Sequence, residues 1–206
     1  MTRPILACTL AALAALLSAC AGPPPPTYSA NAFQGIFNQD SASVPRDVPA
    51  VAPPPVGVIF SENVEAYLGH VKKSGEYWNS VVPTSLKNNV VYADADPTYF
   101  AGRVLGMLKA RYPSASVVHD FNDAVKQGKR SVILIDLHVK QMEPYGDRTT
   151  KYDIDAYVFG AGMNPVSRLS GHGEWKVPFA SMEAGIQKSI DQAVAELDGK
   201  LAALVR

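Results

Sequence analysis

Apolar residues along the chain follow the spacing of a strand in some places and that of a helix in others. The run from Val56 to Phe60 is short and apolar, which is typical of a buried strand. Ser61 follows it and can cap a helix, because its hydroxyl can accept a hydrogen bond from a free amide. The next apolar positions share one helical side: Val64, Tyr67, Leu68 and Val71. We therefore predict a strand followed directly by a helix.

The middle of the chain predicts short elements. A turn leads into a short strand at 90–93. Asp96 and Pro97 then mark a helix start, since aspartate accepts a free amide hydrogen bond and proline needs no donor in the first turn. This helix ends near Pro113. A strand at 116–119 and a short helix at 122–127, closed by Gly128, complete the region.

Three longer strands and a long helix follow. The strands are predicted at 131–142, 149–159 and 166–177, with turns between them, and their order predicts an antiparallel meander. Ser181 caps the last helix, and its apolar positions recur every three or four residues: Ile186, Ile190, Val194, Leu197, Leu201 and Leu204. We expect this helix to cover Gly171 and Gly173, where the small residues let a helix approach closely.

Together these elements predict an α/β (α+β) domain over residues 56–206. Its mixed sheet has about five strands, ends in the three-stranded antiparallel meander, and is covered by helices that include the long amphipathic C-terminal one. The order of elements resembles that of small α/β domains in envelope lipoproteins and secretion accessories, such as the TolB amino-terminal domain and the curli secretion lipoprotein. The resemblance implies a role in envelope assembly or secretion.

The first twenty residues form a targeting segment, in which Arg3 precedes an apolar run too short to span a bilayer. The residues Leu17-Ser18-Ala19-Cys20 resemble the lipobox of bacterial lipoproteins. The resemblance implies a signal peptide over 1–19 and a diacylglycerol on the thiol of Cys20. The alternative is an ordinary secretory signal with an incidental cysteine.

The resemblance also bears on localisation. Ala21 follows the lipobox cysteine, where enteric-type lipoproteins that stay at the inner membrane carry aspartate. We therefore expect a lipid anchor in the periplasmic leaflet of the outer membrane, in a Gram-negative host.

Charge and cysteine content exclude several function classes. The chain has 19 basic and 19 acidic residues and no basic stripe, so we expect neither nucleic acid nor an anionic membrane surface as a binding partner. Cys8 leaves with the signal and Cys20 carries lipid, so no thiol remains for a disulfide or a nucleophile. Ser170 to Gly173 lacks the flanking pattern of a nucleophile elbow. We predict no enzyme, no catalytic residue and no cofactor.

Residues 20–55 are rich in proline and poor in aliphatic side chains, which predicts a disordered linker. Fully extended, such a linker would reach about 100 Å. Phe33, Ile36 and Phe37 break the pattern. They can dock on the protein's own domain, which we favour, or Phe33 and Phe37 can contact a partner protein.

Strand alternation places polar residues on one face of the meander. The candidate metal ligands among them are Asp136, His138, Asp153, Asp155, His172 and Glu174. Side chains two residues apart on one strand point the same way, and the neighbouring strand lies beside them. Together such side chains could hold a divalent metal. The competing interpretation, which we favour, is a solvated face whose opposite charges pair across strands.

The preferred functional hypothesis is a non-enzymatic lipoprotein that acts by contact in the cell envelope. Its partners are the membrane, through the N-terminal lipid, and either another envelope protein or further copies of itself. The final turns of the long helix, with Leu197, Leu201 and Leu204, or a free sheet edge are the candidate contacts. The alternative function is metal or small-ligand binding on the polar sheet face.

Overall fold

A computed structural model describes residues 23–48, 50, 52–81, 96–140, 149–176 and 182–204. The helices and strands are β1 Val56–Phe60, α1 Glu62–Val81, α2 Pro97–Arg111, β2 Ser116–Val117, α3 Phe121–Lys126, β3 Ser131–Lys140, β4 Thr149–Phe159, β5 Pro165–Lys176 and α4 Met182–Leu204. The five strands form one mixed sheet in the order β2-β1-β3-β4-β5. Strand β1 is parallel to both neighbours, and β3, β4 and β5 are antiparallel. The predicted fold class is confirmed, while the strand expected at 90–93 lies outside the described residues.

The main core lies between the sheet and helices α1, α2 and α4. The alternation predicted for the meander is confirmed, because every second residue of β3 and β4 is buried against these helices. Those residues are Ile133, Ile135, Leu137, Val139, Tyr152, Ile154, Ala156 and Val158. Within the described residues, no helix combines the length and apolarity needed to cross a bilayer.

The predicted helix starts at Ser61 and Asp96 are confirmed by their capping hydrogen bonds. Ser61 Oγ accepts from the amide of Val64 at 3.3 Å, and Asp96 Oδ1 accepts from the amide of Thr98 at 2.8 Å. Asp120 caps α3, which begins one residue before the predicted position. The predicted cap at Ser181 lies outside the described residues.

Helix α4 packs closely on β5, as predicted from the two glycines. A Cβ at Gly171 would overlap the carbonyl oxygen of Ala193, and one at Gly173 would overlap that of Ser189. Leu197 and Leu201 are buried in the core beneath this helix. They close the domain and are not exposed for a partner, because their side of the helix faces the sheet; the side chain of Leu204 lies outside the described residues.

A segment before β1 covers half of the other sheet face. We call residues 28–48 the strap. Phe33 is fully buried, and Phe37 packs against Phe121 and Phe159. Residues 28–48 therefore belong to the folded domain, although the sequence predicts a disordered linker there. Aromatic packing on an apolar patch of the sheet offsets the chain entropy that the composition alone could not.

Candidate functional site

The strap leaves the other half of this sheet face polar. We call the following residues the polar face: Asp136, His138, Lys151, Asp153, Asp155, Arg168, Ser170, His172 and Glu174. The strand register sets them in rows. Asp136 lies opposite Asp155, and His138 lies opposite Asp153. The charged positions predicted to share one face do so.

Asp136 is the most buried acid of the polar face, with 1% of its surface exposed. It accepts hydrogen bonds from Ser61 Oγ at 2.5 Å and Asn63 Nδ2 at 3.0 Å, and His138 Nε2 lies 3.2 Å away. Burial acts to raise the pKa of this carboxyl, but the hydrogen bonds and the charge of His138 outweigh it and hold the pKa below 3.8. The carboxylate thus stays charged and joins β3 to the start of α1.

Asn63 connects this carboxylate to the strap. Its Oδ1 accepts from the amide of Ser29 at 2.7 Å, and its Nδ2 donates to the Ser29 carbonyl at 3.0 Å. The ring of Tyr28 lies 5.8 Å from the ring of His138. Sequence reasoning missed Asn63 as a site residue, since its partners are 34 and 73 residues away in the chain.

Asp155 forms a second buried hub beside the first. It accepts a bidentate pair of hydrogen bonds from Arg168, at 3.0 and 2.6 Å, and one from Ser170 Oγ at 2.5 Å. The backbone of Arg168 in turn pairs with the strap, because its amide donates to Pro45 and its carbonyl accepts from Asp47. Both buried carboxylates therefore sit where the strap meets the sheet.

The outer part of the polar face is exposed and ion-paired. His172 Nδ1 lies 2.6 Å from Asp153 Oδ1, and Lys151 Nζ lies 2.8 Å from Glu174 Oε2. The hydrogen bond with Asp153 raises the pKa of His172. Opposite charges pair across the strands here, as the solvated-face interpretation expects.

The six candidate metal ligands are all described, and they do not converge. Among the described residues, no group of three or more histidine, cysteine or acidic side chains is placed to hold a metal ion. The physical reason is that Asp136 and Asp155 are turned toward hydrogen-bond donors of the protein. His138 lies beside Asp136, while the two ring nitrogens of His172 are turned to two different acids, Asp153 and Glu174.

The outer edge of β5 is covered by side chains of α4. Three backbone groups of the strand are satisfied in this way: the Ser170 carbonyl by Lys200 Nζ at 2.6 Å, the His172 amide by Glu196 at 2.9 Å, and the Glu174 amide by Gln192 at 3.1 Å. The strap continues this cover at Arg168. Backbone groups along the edge of β5 are therefore partly covered, and this strand does not present a fully free sheet edge.

A surface groove of about 290 Å³ runs between α2 and α4 on the outer side of the helical layer. It is lined by Gly102, Arg103, Gly106, Met107, Ala110, Val194, Ala195 and Asp198. The ion pairs Arg103 with Asp191 and Arg111 with Asp198 cross between the same two helices. These pairs hold α2 against α4.

Comparison with known proteins gives only distant likenesses. No protein-family model and no curated protein match the chain. Among solved structures, the chain is similar to the PelC dodecamer from Paraburkholderia phytofirmans, at 9% identity and a TM-score of 0.42, over 74% of this chain and 93% of that one. It is also similar to the hypothetical protein CT253 from Chlamydia trachomatis, at 10% identity and a TM-score of 0.33, over 72% and 98%. These likenesses are too distant to carry a function to this chain.

Proposed function

We propose that this protein is a lipid-anchored lipoprotein of the cell envelope that acts by contact, as an assembly or secretion accessory, and not as an enzyme. The observation that carries the proposal is that the buried polar residues are already bonded within the protein. Asp136 and Asp155 are engaged by donors that fasten the strap and the first helix to the sheet. Their role is to hold the chain that arrives from the N-terminus.

The lipobox supplies the anchor. The thiol of Cys20 loses its proton and takes the diacylglyceryl group of a membrane phospholipid, whose phosphate headgroup leaves, and water then cleaves the peptide bond after Ala19. Two acyl chains hold a protein stably on a bilayer, where one alone is marginal. With Ala21 behind the cysteine, the proposed location is the periplasmic leaflet of the outer membrane.

The anchor is tested by the mass and fractionation of the mature protein. We expect an acylated Cys20 as the first residue and recovery with the outer membrane. The matched control replaces residues 1–20 with an ordinary cleavable signal, and it should appear as free periplasmic protein. An unmodified Cys20 in a soluble wild-type protein would contradict the anchor.

The contact function is tested by photocrosslinking in cells. A photoreactive residue is placed at one exposed position on each of four helices: Lys72, Ala110, Asn122 and Ala195. We expect one face to capture a specific envelope protein, or a second copy of this chain, in the anchored protein and not in the free periplasmic control. Absence of any specific adduct at all four positions would contradict a contact role.

A further inference from the structure

The folded part of the chain begins soon after the residue that would carry the lipid. Tyr28 packs on the main core, and its ring lies 5.8 Å from the ring of His138, near the end of β3. The next residue, Ser29, bonds through its amide and its carbonyl to the side chain of Asn63, near the start of α1. These contacts fix the chain to the domain from Tyr28 onward.

The tether in front of Tyr28 is short. Seven residues separate Cys20 from Tyr28, and four of them are the prolines 23–26. Residues 23–27 lie in no helix or strand. The path from Cys20 to Tyr28 spans about 25 Å in a polyproline conformation and at most about 29 Å when fully extended. The linker of about 100 Å that the composition predicts is shortened to this length, because the strap belongs to the domain.

The tether is also shorter than the domain is wide. A folded chain of about 180 residues has a radius of gyration of about 16 Å, which corresponds to a diameter of about 40 Å. With Cys20 held by lipid, Tyr28 can lie no further than about 29 Å from the bilayer. The domain therefore cannot turn the end that carries Tyr28 fully away from the membrane.

Three exposed valines lie in one row across the sheet. The strand register places Val117 and Ser167 in the same row as Ile133. Val166 precedes Ser167 in β5, and the carbonyl of Val48 accepts a hydrogen bond from the Ser167 hydroxyl at 2.7 Å. The exposed fractions of the three valines are 50% for Val117, 38% for Val166 and 40% for Val48. We call these three residues the valine row.

The valine row and the tether lie toward opposite ends of the sheet. Ile133, in this row, precedes His138 by five residues in β3, which is about 17 Å at about 3.4 Å per residue. Tyr28 lies beside His138. When the tether holds the Tyr28 end near the bilayer, the valine row is therefore at the end directed away from it.

We propose that the lipid anchor orients the domain, with the end that carries Tyr28 toward the bilayer and the valine row directed away from it. The inference rests on lipidation of Cys20, which belongs to the proposed function. The physical cause is the short tether, because a longer linker would let every side of the domain reach the bilayer. The exposed valines are thereby kept from the lipid and left accessible to other proteins of the envelope.

The orientation is tested by energy transfer from the lipidated protein to acceptor fluorophores on the headgroups of phosphatidylcholine vesicles. The donor fluorophore is attached to a single cysteine introduced by Ala30→Cys, at an exposed position beside Ser29. The matched variant is Ala161→Cys, at an exposed position between β4 and β5, beyond the valine row. We expect several-fold stronger transfer from position 30 than from position 161.

The cause of the orientation is tested by lengthening the tether. An insertion of about twenty glycine and serine residues between Gly22 and Pro23 adds up to about 70 Å of reach. In this variant, we expect the transfer from positions 30 and 161 to become similar. A difference as large as that with the natural tether would contradict the short tether as the cause.

The outcomes separate the anchor from the orientation. If the labelled protein does not float with the vesicles, the proposed lipid anchor itself fails. If it floats and positions 30 and 161 give equal transfer, or position 161 gives more, the anchor stands and the orientation is overturned. A second pair of exposed positions, Thr27→Cys and Asn164→Cys, has to give the same order, so the result does not depend on the folding of one variant.

Discussion

Asp136 and Asp153 are both aspartates on the polar face, and each lies beside a histidine. They differ in burial, because the side chain of Asp136 is 1% exposed and that of Asp153 is 57% exposed. Buried hydrogen-bonded carboxylates contribute much more to stability than exposed ion pairs. The two residues form a matched pair for testing which part of the polar face holds the fold together.

We expect Asp136→Ala to lower the free energy of unfolding by about 2–3 kcal/mol, since the buried donors of Ser61 and Asn63 and the partly exposed ring of His138 lose their acceptor. The control Asp153→Ala should cost less than about 1 kcal/mol, as exposed pairs do. Urea unfolding followed by circular dichroism measures both. Equal costs would mean that the Asp136 hub does not fasten the strap and α1.

The pH dependence follows from His138. Its hydrogen bond with Asp136 raises its pKa above 6.5, and the charges of Asp136, Asp155 and Asp153 act in the same direction, against burial. A raised pKa gives stability that is complete below 6.5 and is lost as the pH rises through the folded-state value. The lowered pKa of Asp136 gives stability above 3.8 that is lost as the pH falls.

We therefore expect the wild-type free energy of unfolding to decrease as the pH rises from just below 6.5 to an alkaline value above the folded-state pKa of His138. His138→Gln should remove most of this decrease, because it removes the titrating group. His172→Gln is the control, and it should remove less, since its side chain is 47% exposed. Urea unfolding of each variant at both pH values measures this change. If the stability of His138→Gln depends on pH as strongly as that of the wild type, His138 is not the titrating group.

At the scale of elements, the contact of α4 with β5 depends on two missing side chains. A methyl group at Gly173 would overlap the backbone carbonyl of Ser189, and the helix would have to move. We expect Gly173→Ala to cost about 1–3 kcal/mol, as overpacking of a core does.

Gly199→Ala in α4 is the matched control, because an added methyl there meets nothing within 4 Å. It should stabilise the protein by up to about 1 kcal/mol, since alanine favours the helix. Thermal unfolding of the two variants gives the comparison. A loss in Gly199→Ala as large as that in Gly173→Ala would contradict the close approach of α4 to β5 as the cause.

The strap is the second element whose packing can be tested. Phe33 is fully buried, with Tyr157 and Phe159 at ring distances of 5.0 and 5.7 Å. We expect Phe33→Ala to cost about 3–5 kcal/mol and to open the strap to proteolysis before the rest of the domain. Val125→Ala, at a side chain that is 61% exposed, should change stability by less than about 0.5 kcal/mol. An uncut strap in Phe33→Ala would mean that the strap is held elsewhere.

At the scale of the molecule, side chains of α4 cover backbone groups along the edge of β5. Strand edges with free backbone groups can pair with other chains. We expect the triple variant Gln192→Ala, Glu196→Ala and Lys200→Ala to associate with rising concentration in sedimentation experiments, because it uncovers that edge. The control removes the ion pair on the other side of α4, with Arg103→Ala and Asp191→Ala, and should leave the state of association unchanged. Equal behaviour of the two variants would contradict edge protection.

The sequence by itself was sufficient to predict the features that depend on residues close together in the chain. Strand alternation placed Ile133 and Asp136 on opposite faces, Ser61 and Asp96 marked helix starts, and the small size of Gly171 and Gly173 indicated where α4 would approach. Each of these features depends on local periodicity, on one capping residue or on one missing side chain, which the sequence displays directly.

Only the tertiary structure revealed the features that depend on contacts between residues far apart in the chain. Proline-rich composition predicts disorder for the strap, yet an apolar patch that includes Tyr157 and Phe159 binds Phe33, more than 100 residues earlier in the chain. Likewise, the acids that could be metal ligands meet donors such as Asn63 and Arg168 instead. Burial and hydrogen bonding between distant segments exist only after folding. For this reason, the packing of the strap and the role of the polar face could not be predicted from the sequence.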